Sequence, residues 1–207
     1  MLRLLATLEA HDFVRRTERG YDVGYGVLEV ASVVEPEIRE AARPALVWLA
    51  EQYGETAVVS IRDEMHAVAV DQVVPKGRVV RVHYHPGSRH PLSEAAHGKC
   101  MLAMDDDAAT RSSVDASELG KIRTAGYATS RDELEAGVSG LAAPIFDGVG
   151  AALAAIGVVA PTLRMPPEPD LAAAVVSAAR AATAALTGTD ASRTGSTDGD
   201  AVLIARP

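Results

Sequence analysis

Two pairs of short segments rich in β-branched residues restrict most strongly the folds open to this chain. The first pair comprises residues 56–62 and 66–74, and the three residues between them predict a tight hairpin turn. The second pair comprises residues 140–146 and 151–160, which are joined by a short turn rich in glycine and aspartate. The chain is therefore predicted to contain two groups of antiparallel strands.

A helix precedes the first group of strands. Pro36 is expected to open it and Gly54 to stop it after Tyr53, because proline suits the first helical turn and glycine the position after the last. The apolar residues that share one face of this helix are Ile38, Ala42, Leu46 and Leu49.

Other segments complete the predicted architecture. Residues 79–84 are expected to form a further strand and residues 85–91 a loop. Ser93 is expected to cap a helix over residues 94–104. The remaining helices are predicted in short pieces within residues 105–125 and at residues 170–186. Helices that flank two groups of antiparallel strands indicate an α+β sensor domain.

Composition excludes several classes of protein. The formal net charge is −8, so the overall field of the chain repels nucleic acid and any contact with DNA has to be local. Cys100 is the single cysteine, which excludes a disulfide within one chain and fits a reducing compartment. No apolar run approaches the ~20 residues of a membrane helix, so a soluble cytoplasmic protein with no membrane partner is expected.

The beginning of the chain combines a short helix with a basic hairpin. Residues 2–10 have leucines at helical spacing, and the strand-like residues 13–24 fold back at residues 18–20. The first 19 residues contain four arginines, no lysine and three acidic residues, so this stretch is mildly basic. A helix followed by a basic hairpin is typical of the second half of a winged helix-turn-helix.

The order and spacing of three groups of motifs resemble the IclR (isocitrate lyase regulator) family of transcription factors. The motifs are RLLATLE at residues 3–9 with FV at 13–14 and GY at 20–21, GSRHPL at 87–92 with AAHGKCMLA at 95–103, and GYA at 126–128 with DELEAGV at 132–138 and LAAPIFD at 141–147. Together they span nearly the whole chain before its C-terminal tail.

The resemblance implies a GAF-like effector-binding domain with an antiparallel sheet and flanking helices, preceded by a partial winged helix-turn-helix. The expected boundaries are a partial winged helix at residues 1–25, a linker helix at 26–35, the effector-binding domain at 36–187 and a disordered tail at 188–207. Family members have about three helices before the wing, and Met1 falls inside the third. We therefore expect a late start or a truncation, and weak or absent DNA binding in a gel-shift titration.

The resemblance also identifies candidate DNA contacts. Arg3 is similar to the arginine of the family's recognition helix that approaches DNA. Arg15, Arg16 and Arg19 belong to the predicted wing, where guanidinium groups pair well with phosphate oxygens. From the residues alone, a solvated basic hairpin is the alternative.

The start of the helix at residues 94–104 is the best candidate for a ligand pocket. Small residues there let a ligand reach backbone N–H groups, and a helix N-terminus favours a carboxylate; close helix packing is the alternative. By the resemblance, the ligand-binding residues are Leu92, Ala95, Ala96, His97, Gly98, Ser130, Val138, Gly140, Gly157 and Val159. Apolar walls with few polar anchors favour a partly hydrophobic organic acid, such as an aromatic carboxylate.

Neither a metal site nor a catalytic site is expected. His83, His85, His90 and His97 lie near Cys100 in the sequence. Their spacing matches no strong zinc pattern, although two ligands on one strand face are conceivable. Cys100 lies in an apolar helical pattern that favours a buried, inert thiol. No glycine-rich phosphate loop is present, and no cofactor is expected.

The leading hypothesis is a ligand-responsive, DNA-binding transcription regulator of the IclR type. A small-molecule effector would change the geometry of a homodimer or tetramer and so the spacing of its DNA-binding heads. The alternative is a stand-alone small-molecule-binding module without DNA binding. The chain is not expected to be an enzyme, and a weak enzyme that uses His97 and Cys100 is the third hypothesis.

Overall fold

The computed structural model describes residues 2–188, so the predicted tail at residues 188–207 lies outside the described residues apart from Gly188. The helices are α1 (Leu2–Ala10), α2 (Gly26–Ser32), α3 (Pro36–Tyr53), α4 (Ala95–Ala103), α5 (Asp106–Arg111), α6 (Ala116–Ala125) and α7 (Glu168–Thr187). The strands are β1 (Val14–Thr17), β2 (Gly20–Val23), β3 (Thr56–Asp63), β4 (His66–Val73), β5 (Arg89–Pro91), β6 (Ala128–Arg131), β7 (Val138–Phe146) and β8 (Ala152–Pro161).

A six-stranded sheet organises the domain. Its order is β5-β4-β3-β8-β7-β6, and every neighbouring pair is antiparallel. Helices α3 and α7 pack on one face of this sheet, whereas α4, α5 and α6 cover the other face. The predicted α+β class, with an antiparallel sheet and flanking helices, is therefore confirmed.

Elements with strong local signals form where they were predicted. Helix α3 runs from Pro36 to Tyr53, and Gly54 follows it with a φ of 63°. Glycine adopts this left-handed conformation without strain, which explains the stop. The inner face of α3 is buried as predicted, with Ile38, Ala42, Leu46 and Leu49 in the core. The two predicted strand pairs are β3 with β4 and β7 with β8.

The strand predicted at residues 79–84 does not form. These residues belong to a segment without helix or strand, residues 74–88, which we call the strap. Backbone groups of the strap form hydrogen bonds with side chains of β3 and β4. The Thr56 hydroxyl donates to the Val82 carbonyl at 2.6 Å, and the Tyr84 N–H donates to Gln72 Oε1 at 3.0 Å. Val82 packs against the sheet, whereas Val79 and Val80 are exposed, so the β-branched residues of this segment do not lead to strand pairing.

Two short strands were not predicted. β5 forms at Arg89–Pro91, inside the expected loop, because it pairs with β4. β6 forms at Ala128–Arg131, a segment with no β-branched run, because it pairs with β7 in the register that sets Ser130 opposite Gly140. Both strands are products of tertiary pairing at the two edges of the sheet.

Helix α7 closes the domain. By length and composition alone, α7 could cross a membrane. The expectation that no apolar segment approaches the length of a membrane helix is therefore wrong. Its apolar face lies in the core shared with α3 and the sheet, where Leu171, Val175 and Ala179 are buried. One face of α7 is therefore packed into the core of this domain.

The first part of the described chain has little core of its own. α1 and the β1–β2 hairpin form at the predicted places, but Leu4 is 65% exposed and no residue of α2 is buried. A helix and a hairpin are thus present, and they do not by themselves define a winged helix-turn-helix. The Arg39 guanidinium joins α2 to α3 by donating to the Ala31 carbonyl at 3.1 Å.

Candidate functional site

A cavity of about 250 Å³ lies against the start of α4. Strands β7 and β8 form one wall, the strap forms another, and the loop between β6 and β7 closes the third side. Seven of the predicted ligand-binding residues line it: Ala95, Ala96, His97, Ser130, Val138, Gly140 and Val159. The sheet and α4 thus bring together residues from three distant parts of the sequence.

The start of α4 is held differently from the prediction. Ser93 does not cap the helix; Glu94 occupies the cap position without a side-chain hydrogen bond. Instead, the Ala95 N–H donates to Oε2 of Glu133 at 2.9 Å. Ala95 has a φ of 57°, a left-handed conformation that is strained for alanine and that aims its N–H at this carboxylate.

A buried lysine joins the helix to two acidic residues. The Lys99 ammonium donates to Oε1 of Glu133 at 2.7 Å and to Oε1 of Glu118 at 2.9 Å, and the Lys99 side chain is only 7% exposed. Burial by itself lowers the pKa of Lys99, but the hydrogen bonds to Glu133 and Glu118 outweigh burial and raise it above its ordinary value. The lysine is therefore charged and paired with both carboxylates.

His97 forms the inner end of the cavity. Burial lowers its pKa from 6.5 to about 4, so the ring is neutral at physiological pH. Its Nε2 lies 3.2 Å from the Val58 carbonyl, which fits an N–H donor there. The ring stacks on Tyr84 of the strap at a centroid distance of 6.4 Å, and burial raises the pKa of that tyrosine to about 12. Both rings are uncharged walls.

Gly140 forms part of the cavity floor. A Cβ added there would lie 3.1 Å from Ser130 Oγ, 3.5 Å from Val159 Cγ1 and 3.7 Å from Ala96 Cβ. The absent side chain therefore leaves the space that a ligand would fill between the sheet and α4.

Three of the predicted ligand-binding residues do not line the cavity. Leu92 is fully buried in the core beneath α4. Gly98 lets α4 approach that segment, since a Cβ there would lie 2.8 Å from the Leu92 carbonyl oxygen. Gly157 faces a neighbouring strand, where a Cβ would lie 2.2 Å from the Leu141 carbonyl oxygen. In these three positions the small or apolar side chain serves packing, and they are left out of the proposed site.

Sequence reasoning missed half of the lining. The additional residues are Val82, His83, Tyr84, Glu133, Leu134, Glu135 and Ser139. Glu133 and its neighbours lie in a motif already recognised at residues 132–138, so their proximity to Ser130 and Val138 was a usable signal. The strap residues gave no such signal, because their place over the cavity depends on side-chain hydrogen bonds from β3 and β4.

The histidine and cysteine candidates do not assemble into a metal or nucleophile site. His83 and His85 stack at a centroid distance of 5.5 Å on the strap and not on a strand. In the part of the chain that the structure describes, no group of three or more histidine, cysteine or acidic side chains could hold a metal ion. Cys100 is buried, its Sγ donates to the His97 carbonyl, and burial raises its thiol pKa.

The arginines of the hairpin divide between its two faces. The Arg15 guanidinium lies 5.3 Å from the centre of the Tyr25 ring and 4.0 Å from Asp22, whereas Arg16 lies over Tyr21 at 5.9 Å. Arg19 lies in the exposed turn and Arg3 on the exposed side of α1. Because Arg15 and Arg16 are adjacent on one strand, their side chains project from opposite faces of the hairpin.

Solved structures with this fold define the class of protein. An IclR transcriptional regulator from Alicyclobacillus acidocaldarius is 27% identical, with a TM-score of 0.78 over 89% of this chain and 84% of that one. An IclR homologue from Microbacterium hydrocarbonoxydans, solved with 4-hydroxybenzoate, has the same TM-score at 17% identity, over 89% and 83% of the two chains. The fold is that of the effector-binding domain of bacterial transcription regulators.

Sequence comparison identifies the family. The model of the bacterial transcriptional regulator IclR C-terminal domain matches residues 30–186. The glycerol operon regulatory protein of Streptomyces griseus is 29% identical over 88% of this chain and 80% of its own length. The chain therefore belongs to the IclR family of transcription regulators. Membership in a family of regulators also confirms the expectation that it is not an enzyme.

Proposed function

We propose that this chain is a ligand-responsive transcription regulator whose effector binds in the cavity at the start of α4. The cavity itself carries the proposal, because seven residues from α4, β6, β7 and β8 converge on one empty space. The proposed effector is a small, partly hydrophobic organic acid, and the proposed place of action is the cytoplasm.

The lining supports a partly apolar ligand. Ala96, Val138 and Val159 supply apolar walls, while the neutral His97 ring and the Ser130 hydroxyl supply polar anchors. A volume of about 250 Å³ lies just below the ~300–1,000 Å³ of pockets for drug-sized ligands, which favours a single ring or a short chain. The 4-hydroxybenzoate bound to the Microbacterium homologue is a ligand of this size and kind.

Calorimetric titration tests the ligand class. We expect 4-hydroxybenzoate and related single-ring acids to bind at least ~10-fold more tightly than glyoxylate or pyruvate, because burial of the ring against the apolar walls stabilises the complex. Gly140→Val should abolish this binding, since its side chain would fill the space between Ser130 and Ala96. Gly120→Ala on α6, where nothing lies within 4 Å, is the matched control and should bind like wild type. Tighter binding of the small oxo-acids would reverse the proposal.

The proposed assembly is a homodimer or tetramer that presents DNA-binding heads. Exposed apolar side chains on and after α2 support a contact between copies, because Leu28 is 68% and Val33 is 71% exposed. Light scattering measures the mass of this assembly.

DNA is the proposed second partner of the full-length protein. Its proposed contacts are Arg3, Arg15, Arg16 and Arg19, and the two faces of the hairpin imply that Arg16 and Arg15 contribute unequally. In a gel-shift titration with DNA flanking its gene, we expect salt-sensitive binding. Arg15→Ala and Arg16→Ala should each weaken this binding, and the two variants should differ in how much affinity they lose. Ligand binding without sequence-specific DNA binding by the full-length protein would favour the stand-alone binding module.

A further inference from the structure

We infer that Glu133 determines which polar group an effector presents to α4: an uncharged hydrogen-bond donor, such as a hydroxyl or an amide, with any carboxylate of the effector at the opposite end. This inference rests on the proposed function, since it concerns a ligand in the same cavity. It reverses the expectation that the start of α4 binds the effector's own carboxylate.

The first reason is that a carboxylate already occupies the start of α4. Oε2 of Glu133 accepts the Ala95 N–H at 2.9 Å, and Oε1 accepts the Lys99 ammonium at 2.7 Å. One of the backbone N–H groups that would attract an acidic ligand at this helix N-terminus is therefore already paired with a carboxylate of the chain. Displacing Glu133 would also strip a partner from a lysine whose side chain is 7% exposed.

The second reason is the charge of the cavity. Lys99 is shared between Glu133 and Glu118, so one ammonium faces two carboxylates and the cluster retains one net negative charge. Glu135 adds a further carboxylate to the lining. Among the described residues that line the cavity there is no lysine or arginine to offset them. Even with Lys99 counted, a ligand carboxylate beside Glu133 would therefore meet a net negative charge.

The third reason is the hydrogen-bonding capacity that remains. An ionised carboxylate has about four lone-pair sites, and Glu133 uses two of them for Ala95 and Lys99. The others can accept from a ligand hydroxyl or amide in the cavity that Glu133 lines. Hydrogen bonds to a charged acceptor are about twice as strong as hydrogen bonds between neutral groups. A donor at the end of the ligand that faces Glu133 should therefore strengthen binding.

Three acids that differ only at one end of the ring test the inference. 4-Methylbenzoate, 4-(hydroxymethyl)benzoate and terephthalate present a methyl group, a hydroxyl donor or a second carboxylate opposite a common carboxylate. By calorimetry with the full chain, we expect the hydroxymethyl compound to bind at least ~10-fold more tightly than the methyl compound and terephthalate to bind most weakly. In Glu133→Gln, terephthalate should gain at least ~10-fold, and the advantage of the hydroxymethyl compound should shrink.

Glu118→Gln is the matched control. Glu118 contacts the same lysine, but it does not line this cavity, so this variant should keep the wild-type order of the three acids. A wild-type preference for the methyl compound or for terephthalate would overturn the inference while leaving the proposed function intact. Equal effects of Glu118→Gln and Glu133→Gln on all three acids would also overturn it. Failure of all three acids to bind would contradict the proposed function and remove the inference with it.

Discussion

Gly157→Ala should lower the free energy of unfolding by about 3 kcal/mol, a large effect for the addition of one methyl group. The new Cβ would lie 2.2 Å from the Leu141 carbonyl oxygen, 2.7 Å from Ala142 Cβ and 2.8 Å from Ala142 Cα. Because these atoms belong to the neighbouring strand β7, relief requires the pairing of β7 with β8 to shift. β8 and β7 are the fourth and fifth of the six strands, so neither is an edge strand that could shift freely.

Urea denaturation measures this effect, as a fall in the unfolding midpoint with an unchanged denaturant slope. Gly120→Ala is again the control, because it adds a methyl group to the middle of α6 in open space and should stabilise the chain by about 0.5–1 kcal/mol. A Gly157→Ala variant as stable as wild type but impaired in ligand binding would show that Gly157 acts as a cavity wall and not as a packing residue.

Acidification from pH 6.5 to pH 4 should remove about 3 kcal/mol of stability through His97. Burial lowers the pKa of His97 to about 4 in the folded chain, whereas an unfolded histidine titrates near 6.5. Between these two values the unfolded chain binds more protons than the folded chain, so stability falls as the pH falls. The contribution is fully present above pH 6.5 and is lost by about pH 4. Burial also lowers the pKa of His90, which adds to the loss in the same direction.

The slope of stability against pH identifies the histidine responsible. In His97→Gln, the decline between pH 6.5 and pH 4 should become clearly shallower, whatever the stability of the variant at pH 7. The exposed His83 of the strap supplies the control, and His83→Gln should keep the wild-type slope. Equal slopes for wild type and His97→Gln would mean that the ring is solvated in the folded chain. Carboxylates whose pKa is lowered in the folded chain, such as Asp105, also lose stabilisation as the pH approaches 4, so the difference in slope between wild type and His97→Gln isolates the histidine.

Both effects concern the rigidity of the proposed site. Gly157 keeps β7 and β8 close enough to hold Gly140 and Val159 on one wall, and the neutral His97 ring keeps the inner end of the cavity uncharged. A loosened sheet or a charged ring would change the space that an effector occupies. Stability and ligand binding are therefore expected to decline together in acid.

Local patterns were sufficient to predict the regular elements. α3 has an apolar stripe at helical spacing between Pro36 and Gly54, and each of these signals acts within a few residues. The strand pairs β3–β4 and β7–β8 are likewise joined by short turns, so their pairing is a local event. By contrast, β5 and β6 are short strands that form only because a long neighbour offers an edge.

The sequence by itself determined the α+β class, the family and most of the residues at the start of α4 and on β7. Only the tertiary structure decided what those residues do. Gly140 and Gly157 are both glycines in buried strands, yet one leaves space for a ligand and the other leaves space for a carbonyl oxygen. Likewise, the sequence predicts a helix that starts next to Ala95, but the N–H of Ala95 is paired by Glu133, 38 residues later. The reason is that these contacts depend on the register and packing of segments far apart in the sequence. A pattern within a few residues contains no information about that register or that packing.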